Sequence, residues 1–169
     1  MARPRGAFPF RKTIQLTRGK VALVDIGDFE RISAHKWQAH TDPKRFPHRW
    51  YATRSVRRTD GKRVTVLMHR EILGLSPTDP EVDHWDGDGL HNWRSNLRLA
   101  NRAQNVANAP ARQDNKTSFK GVYQVGSRYR AQIRVSGKLH HLGYHPDPQA
   151  ASAAYFEAAK EHFKEFAHA

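Results

Sequence analysis

The sequence predicts an α+β fold in which small antiparallel sheets are combined with a few helices. Near the amino terminus, apolar and polar residues alternate around Ile14 and Leu16 and again through 50–56, and the strand candidate 21–25 follows a Thr-Arg-Gly-Lys turn. This period of two is typical of half-buried strands. Near the carboxyl terminus, three alternating segments are separated by two-residue turns, and one long helical pattern follows them. Strands and helices that are segregated in this way are typical of the α+β class.

The amino-terminal part reads as a basic arm, over residues 1–12, followed by a small β-rich unit. Residues 28–35 fit a short helix. The turn signal at 59–61, Thr-Asp-Gly, lies between two alternating segments and predicts a β-hairpin. Residues 69–74 then fit one or two helical turns that a glycine closes.

The charge of the chain points to a polyanionic partner. The 169 residues include 29 Lys and Arg against 16 Asp and Glu, a formal net charge of +13. Nucleic acid is therefore the expected partner. The basic residues are spread over strands and loops instead of one amphipathic helix, which disfavours a membrane surface. The chain has no Cys and no long apolar run or apolar leader, so we expect an intracellular, cytoplasmic protein without disulfides.

The stretch 82–99 carries the residues with the clearest chemistry. Asp83 and His84 end a predicted strand, Asn96 lies thirteen residues after the Asp, and Asn105 lies nine residues further on. A histidine titrates near neutral pH, so His84 can take a proton from water. Asp83 and Asn105 offer one carboxylate and one amide oxygen. Such a sparse, hard set suits one Mg²⁺ or Mn²⁺ ion, with phosphate and water completing the shell.

This segment resembles the HNH nuclease motif, and most closely that of the phage and intron-encoded homing endonucleases. The resemblance implies a ββα-metal fold, in which a hairpin and a helix hold one metal ion. It implies His84 as general base, with Asp83 and Asn105 as metal ligands. Asn96 belongs to the catalytic set only as a support, which pins the long loop and so orients His84. His69 also matches a recurrent position, without an assigned role.

Other polar groups near the motif fit other roles. Asp86-Gly-Asp88 fails as a calcium loop, because Leu97 stands where the closing Glu belongs. Asn101 fits the N-cap of the motif helix. Three histidines on a predicted strand lack partners at zinc-finger spacing, so no zinc is expected at His140, His141 and His145. Four arginines around the motif are expected to hold phosphates: Arg70, Arg94, Arg98 and Arg102.

The carboxyl-terminal module resembles a second family. A linker that stays extended is expected over 110–118. After it, the segments 119–123, 129–134 and 141–144, with the Ala-rich helix that follows, resemble the plant APETALA2/ethylene-response-factor DNA-binding domain. In that family a three-stranded antiparallel sheet enters the major groove and one helix packs behind it.

The alternation within 128–135 supports this reading, because it gives one apolar and one basic face. Arginine can bridge guanine edges and glutamine can read adenine. A solvated sheet face is the plainer alternative. The expected DNA-binding residues are Lys120, Tyr123, Arg128, Arg130, Gln132 and Arg134. The helix is expected to start after Asp147, to reach Phe166 and to bury Ala151, Tyr155, Ala158, His162 and Phe166.

Together these features predict a metal-dependent endonuclease that hydrolyses double-stranded DNA at a long asymmetric site, in a bacterial host or phage-infected cell. One Asp-His motif and no helix left for a dimer interface predict a monomer that nicks one strand. A non-catalytic, sequence-specific DNA-binding regulator on the same scaffold and an RNA nuclease or RNA-binding protein stay open. The expected arm and β-rich unit cover residues 1–68, and the nuclease motif covers residues 69–109. The expected linker covers residues 110–118, and the DNA-binding module covers residues 119–169.

Overall fold

A computed structural model confirms the α+β class, with small antiparallel sheets and a carboxyl-terminal helix that packs on a sheet. The structure describes residues 10–42, 46–111 and 114–167. Residues 1–9 of the expected basic arm lie outside this range, and so do residues 112–113 of the expected linker. Within the described ranges, no helix is both long enough and apolar enough to cross a membrane.

The backbone is arranged in two compact units, Met1–Arg98 and Leu99–Ala169. The boundary falls inside a strand of the predicted nuclease motif, so the helix of that motif is grouped with the second unit. Compactness alone does not define function. The division into a nuclease motif over 69–109 and a DNA-binding module over 119–169 stays a prediction.

The first unit consists of two β-sheets and two short helices, and a further strand pairs with one that crosses the unit boundary. In chain order its elements are β1 (Arg11–Gln15), β2 (Val21–Asp25), α1 (Ile26–Ser33), β3 (Gln38–Asp42), β4 (Phe46–Arg57), β5 (Arg63–Leu67), α2 (Met68–Leu73), β6 (Glu81–His84) and β7 (Leu97–Ala100). β1 pairs with β2, β3–β4–β5 form one antiparallel sheet, and β6 pairs with β7. The predicted hairpin at 59–61 is confirmed as the turn between β4 and β5.

The core of the first unit is formed by the apolar residues of these strands and helices. Ile32 of α1, Met68 of α2 and Val24 of β2 are fully buried. The indole of Trp37 donates from Nε1 to the carbonyl of Ile32 at 2.8 Å, so the end of α1 is also held by a hydrogen bond. The same core includes Ile14, Leu16, Ala22, Ala39, Ala52, Ile72, Val82 and Leu97.

The second unit contains the predicted meander and its helix. Its elements after β7 are α3 (Arg102–Asn108), β8 (Val122–Val125), β9 (Arg128–Val135), β10 (Lys138–His145) and α4 (Pro148–Phe163). The sheet order is β10–β9–β8, and both pairings are antiparallel. Asn101 is confirmed as the N-cap of α3, where it forms a capping box with Gln104. Asp147 caps α4, because its carboxylate accepts from the amide of Ala150 at 2.7 Å.

The predicted buried stripe of α4 is partly wrong. Ala158 is only half-buried and His162 is exposed. The buried row steps by four residues throughout α4, and a row of that kind is inclined to the helix axis. The row therefore continues from Tyr155 to Ala159 and Phe163. The sequence prediction had instead stepped by three residues from Tyr155 to Ala158, and from there to His162. The buried residues of α4 are Ala151, Tyr155, Ala159 and Phe163, and Phe166 is buried just beyond them.

The sequence predicts an extended linker over 110–118, but its described residues from 114 onward form turns. Asn115 Nδ2 donates to the carbonyl of Phe119 at 2.7 Å. The first strand of the meander therefore starts at Val122 and not at Phe119. Gly121 has a φ of +69°, and a Cβ there would lie 2.3 Å from the ring of Tyr155. Glycine at this position lets α4 pack directly on the sheet.

Candidate functional site

Strand β6 brings the Asp-His pair into the interior of the first unit. Asp83 is 4% exposed and His84 is 5% exposed. Successive residues of a strand point to opposite faces, so burial of both means that β6 is covered on both faces. The strand ends at His84, and a turn with Gly87 in the left-handed region follows. The pair thus lies where a buried strand opens into a loop.

His84 is surrounded by two further rings and an asparagine. Its ring centroid lies 5.0 Å from that of His69, with the planes at 86°, and 5.9 Å from that of Tyr51. His84 Nε2 lies 3.4 Å from Oδ1 of Asn92, a residue that is 0% exposed. Burial lowers the pKa of His84, although the hydrogen bond to Asn92 and the charge of Asp86 oppose the shift. The imidazole is therefore neutral at pH 7 and able to accept a proton.

His69, whose role the sequence left open, belongs to the same ring cluster. It is buried, and its Nδ1 has no hydrogen-bond partner among the described residues. Burial, together with the charges of the neighbouring His84 and Arg70, lowers the pKa of His69 to about 3. His69 is thus a neutral ring that packs edge-on against His84 near neutral pH.

Asn96 ties together the loop that leaves β6. Its Nδ2 donates to Oδ1 of Asp86 and to the carbonyl of His91, both at 2.9 Å. Its Oδ1 accepts from the amide of Asp86 at 3.2 Å, and its carbonyl accepts from the amide of Trp85 at 2.8 Å. These bonds determine the path of the chain directly after His84. Their importance for activity stays a prediction.

The far side of the same loop is docked on β2 and β4. The amide of Leu23 donates to the carbonyl of Leu90 at 2.9 Å, and the amide of Asn92 donates to the carbonyl of Leu23 at 2.7 Å. Gly89 lies against β4, where a Cβ would be 2.6 Å from the ring of Tyr51. A side chain at position 89 would therefore push the loop away from the ring that contacts His84.

An ion pair also stabilises the loop. His91 Nδ1 lies 2.7 Å from Oδ2 of Asp86, and this hydrogen bond raises the pKa of His91. Burial acts to raise the pKa of Asp86, but the hydrogen bonds from His91 and Asn96 outweigh it and leave that pKa below its usual value. Sequence reasoning had passed over His91, Asn92 and Tyr51. The adjacent His-Asn pair inside the motif was the available signal for the first two.

The donor chemistry around Asp83 fits a hard divalent ion bound by few protein ligands. Arg98 Nε donates to Oδ2 of Asp83 at 2.7 Å, so the carboxylate is held in place by a cation. In the described part of the chain, no group of three or more His, Cys, Asp or Glu side chains is arranged to hold a metal. One carboxylate completed by an amide, water and phosphate is the kind of set that Mg²⁺ accepts. Asn105 lies on α3 in the second unit, and its sharing of an ion with Asp83 stays a prediction.

Three of the four arginines expected to hold phosphates make contacts within the first unit. Arg94 binds both carboxylate oxygens of Asp28, at 2.8 and 2.9 Å, and the carbonyl of Ile72. Arg70 donates to the carbonyls of the 76–80 turn. Together with Arg98, these residues are placed to brace the site. Arg102, the first residue of α3, is exposed, and its contact with phosphate stays a prediction.

A second candidate surface is the face of the β8–β9–β10 sheet that points away from α4. Residues directly opposite one another share a face. The register places Tyr123 and Tyr144 on either side of Arg130, and His141 opposite Gln132. The exposed apolar side chains of this face are Tyr123, Val125, Leu139 and Tyr144. The face thus combines basic, amide and aromatic groups.

The expected DNA-binding residues of this module differ in how they are placed. Arg128 and Arg134 are exposed, whereas Arg130 and Gln132 are half-buried. Arg130 Nε and Gln132 Oε1 have no hydrogen-bond partner within the described ranges. Lys120 is turned toward α3, where its Nζ donates to the carbonyls of residues 106, 107 and 109 at 2.7, 2.5 and 2.5 Å. Lys120 therefore caps that helix. This placement does not favour a contact between Lys120 and DNA.

Comparison with known proteins identifies the family. No protein-family model and no solved structure matches the chain. The chain is 32% identical over 158 residues to an uncharacterized HNH endonuclease of Acanthamoeba polyphaga mimivirus, an alignment that covers 90% of this chain and 76% of that protein. An alignment of this length necessarily includes the segment from Asp83 to Asn105. The chain belongs to the HNH endonuclease family.

Proposed function

We propose that the chain is a metal-dependent endonuclease that hydrolyses phosphodiester bonds of double-stranded DNA, with His84 as the general base. The observation that carries the proposal is a buried, neutral His84 beside Asp83, in a loop whose path is fixed by Asn92 and Asn96. The net charge of +13 supports a polyanionic substrate. The mimivirus relative supports the nuclease class.

The contact with Asn92 supports Nδ1 as the proton-accepting atom of His84. If Nε2 donates to the Asn92 amide oxygen, the lone pair of the neutral ring lies on Nδ1. Nδ1 then accepts the proton of the attacking water as the water oxygen bonds to phosphorus and the leaving oxygen departs. Rings on two sides keep this orientation before substrate arrives, and a positioned general base contributes about 10²–10⁴-fold to the rate.

Asp83 and Asn105 are the residues proposed to hold one Mg²⁺ or Mn²⁺ ion. When bound, the ion would stabilise negative charge on the scissile phosphate and on the leaving oxygen. The support is the donor chemistry of Asp83, a buried carboxylate one residue from the base. Arg98 orients that carboxylate through its 2.7 Å hydrogen bond.

The exposed face of β8–β9–β10 is proposed to bind DNA, as in the APETALA2-like domains that the sequence resembles. Arg130 and Gln132 support this role, because each has a polar atom that no group of the described residues satisfies. An unsatisfied buried polar atom costs about 1–3 kcal/mol, which a rearrangement on DNA would recover. Among the described residues, the side chain of Arg128 donates to the carbonyl of Tyr144 and that of Arg134 to the carbonyl of Gly137, and both residues are exposed.

We further propose that one chain nicks one strand at a long, asymmetric site, as a homing endonuclease of a phage or mobile element would. The support is a single Asp83-His84 pair in the chain and a helix, α4, whose apolar side is already covered by its own sheet. The basic surface of this sheet also differs in composition from the surroundings of His84, which suits a target without two-fold symmetry.

The direct test is incubation of the purified full-length chain with supercoiled plasmid, with and without Mg²⁺ or Mn²⁺. The expected result is metal-dependent conversion to open circle, with linear DNA appearing late. Prompt linear product would overturn the nicking proposal alone. The nuclease proposal would be overturned if the plasmid and DNA targets of other sequences stayed intact with every divalent ion. Cleavage of RNA in place of DNA would favour the RNA nuclease alternative.

A further inference from the structure

The tip of the β4–β5 hairpin concentrates positive charge that the fold does not use. Arg57 lies directly opposite Arg63 in the strand register, and the amide of Arg58 donates to the carbonyl of Lys62 at 2.8 Å. All four side chains are exposed. Like charges directly opposite one another destabilise a two-stranded ribbon. This arrangement therefore weakens the hairpin, and a bound polyanion would remove the repulsion.

The acidic groups around the tip do not neutralise this charge. Asp60 is the only acidic residue between positions 53 and 67, and its carboxylate lies 4.0 Å from Arg58. Arg57, Lys62 and Arg63 have no carboxylate partner among the described residues. Arg57 Nε instead donates to the carbonyl of Gly61 at 3.2 Å, which extends its guanidinium along the tip.

The exposed face that begins at Arg57 and Arg63 continues toward the candidate site with hydroxyl groups. Ser55 and Thr65 form the next opposed pair on this face, and both are exposed. Guanidinium and hydroxyl groups all donate hydrogen bonds, and no carboxylate or large exposed apolar side chain interrupts them. Such a surface fits the phosphates of a nucleic acid better than the mixed surface of a protein.

Strand β4 also sets the distance between this tip and the site. Tyr51, whose ring contacts His84, lies six residues before Arg57 on the same strand. At about 3.3 Å per residue, the tip is roughly 20 Å from Tyr51. Successive base pairs of B-DNA are about 3.4 Å apart along the axis, so this length corresponds to roughly six base pairs.

We propose that Arg57 and Arg63 bind the phosphate backbone of double-stranded DNA roughly six base pairs from the phosphate that His84 attacks. Arg58 and Lys62, next to them, add to the positive potential. The hairpin is thus a positioning contact of the first unit, separate from the sheet face of the second. The inference rests on the proposed nuclease function, because it uses the cleaved bond as its reference point.

The test uses the full-length chain with His84→Ala, which prevents cutting during measurement. Arg57→Ser/Arg63→Ser is compared with Arg57→Lys/Arg63→Lys, which keeps both charges. The affinity for a DNA duplex is measured against salt concentration, and the bound backbone is mapped by hydroxyl-radical footprinting. Two lost phosphate contacts should lower the log–log salt slope by about two. The Ser variant should also lose protection roughly six base pairs from the cut, while the Lys variant keeps both properties.

Thermal unfolding shows whether a loss of DNA binding comes from a loss of folding. Because the Ser variant lacks the opposed like charges, its melting temperature should be equal to or above that of the parent. An unchanged slope and footprint in the Ser variant would overturn the proposal. An equal effect on binding to anionic vesicles would overturn it too, because the hairpin would then be a general polyanion contact. A parent chain that cuts no DNA would instead refute the nuclease function, whereas a cutting parent with an unaffected Ser variant would refute the hairpin contact alone.

Discussion

The asparagines of the loop after His84 and the polar side chains of the sheet face around Arg130 differ in how far they are hydrogen-bonded. In the first unit, Asn92 and Asn96 are buried and hydrogen-bonded to the groups that orient the loop. In the second unit, Arg130 and Gln132 have polar atoms that no described residue satisfies, and neighbouring arginines are exposed. Acid–base chemistry needs a fixed geometry, whereas recognition needs groups that are still available to a partner. The comparison predicts that substitutions in the two regions have separable effects.

The sharpest separation should come from His84→Ala. Cleavage should fall by about 10²–10⁴-fold, because the base that accepts the proton of water is lost. DNA affinity should stay within a few-fold of the parent, since the base acts on water and not on affinity. Plasmid nicking and gel-shift assays measure the two properties. His140→Ala, which removes an exposed histidine of β10, is the matched control and should cut normally. Equal cutting by the His84 variant would contradict the mechanism.

Asn96→Ala should affect stability and activity together. The substitution removes three part-buried side-chain hydrogen bonds that hold the loop. We expect the free energy of unfolding to fall by about 1–3 kcal/mol, measured by urea denaturation, with a loss of cleavage in parallel. Asn96→Asp keeps an acceptor for the amide of Asp86 but loses both donated bonds, so it should not restore the parent stability. Parent-like unfolding of the Ala variant would show that the loop is held by other contacts.

Arg130→Ala and Arg134→Ala, made separately, should weaken DNA binding and leave folding intact. An arginine that reads a base should cost about 1–3 kcal/mol of binding free energy on the preferred sequence, whereas a phosphate contact should cost the same on every sequence. Cutting at saturating enzyme should persist, because His84 is untouched. Lys160→Ala on α4 is the control, as it removes an exposed cation outside this face. Undiminished affinity in both variants would exclude the sheet from DNA binding.

The smallest effect concerns the pH dependence of the His91–Asp86 pair. The pKa of His91 is raised above 6.5, so its contribution to stability is complete below pH 6.5 and is lost as the pH rises through the raised value. The pKa of Asp86 is lowered below 3.8, so its contribution is present above pH 3.8 and is lost as the pH falls through the lowered value. The pair should therefore stabilise the loop most between these limits.

His91→Gln tests this window. Compared with the parent, the variant should have a lower melting temperature at pH 6 and a difference that shrinks toward pH 9. Because the pair is partly exposed, the effect should be modest and should decrease with added salt. A difference that stays constant over this range would mean that the charge of His91 does not contribute.

The local elements were largely predictable from the sequence, because their causes are local. The alternation in β9, the cap at Asp147 and the capping box at Asn101 depend on residues a few positions apart. The position of Asp83-His84 at the end of a strand was predictable for the same reason. The stripe of α4 was partly wrong, since both Ala158 and Ala159 fit a helical period, and only the crossing of the helix over the sheet selects Ala159.

The partners of the charged residues were beyond reach of the sequence, because they join positions far apart in the chain. Arg94 pairs with Asp28, and Lys120 reaches the carbonyls at the end of α3. From the sequence, both resembled ordinary DNA-binding cations. A long cation can serve a carbonyl, a carboxylate or a phosphate equally well, so its nearest acceptor decides which.

By itself, the sequence determined the fold class and the linear set of Asp83, His84 and Asn96, since spacing and periodicity are properties of the chain alone. Only the tertiary structure decided that Tyr51, His69 and Asn92 surround His84, because these residues come from a strand, a helix and a loop that meet only in the folded core. It also decided which arginines stay exposed. Desolvation and hydrogen bonding depend on the neighbours in space, and these set the chemistry of the same side chain.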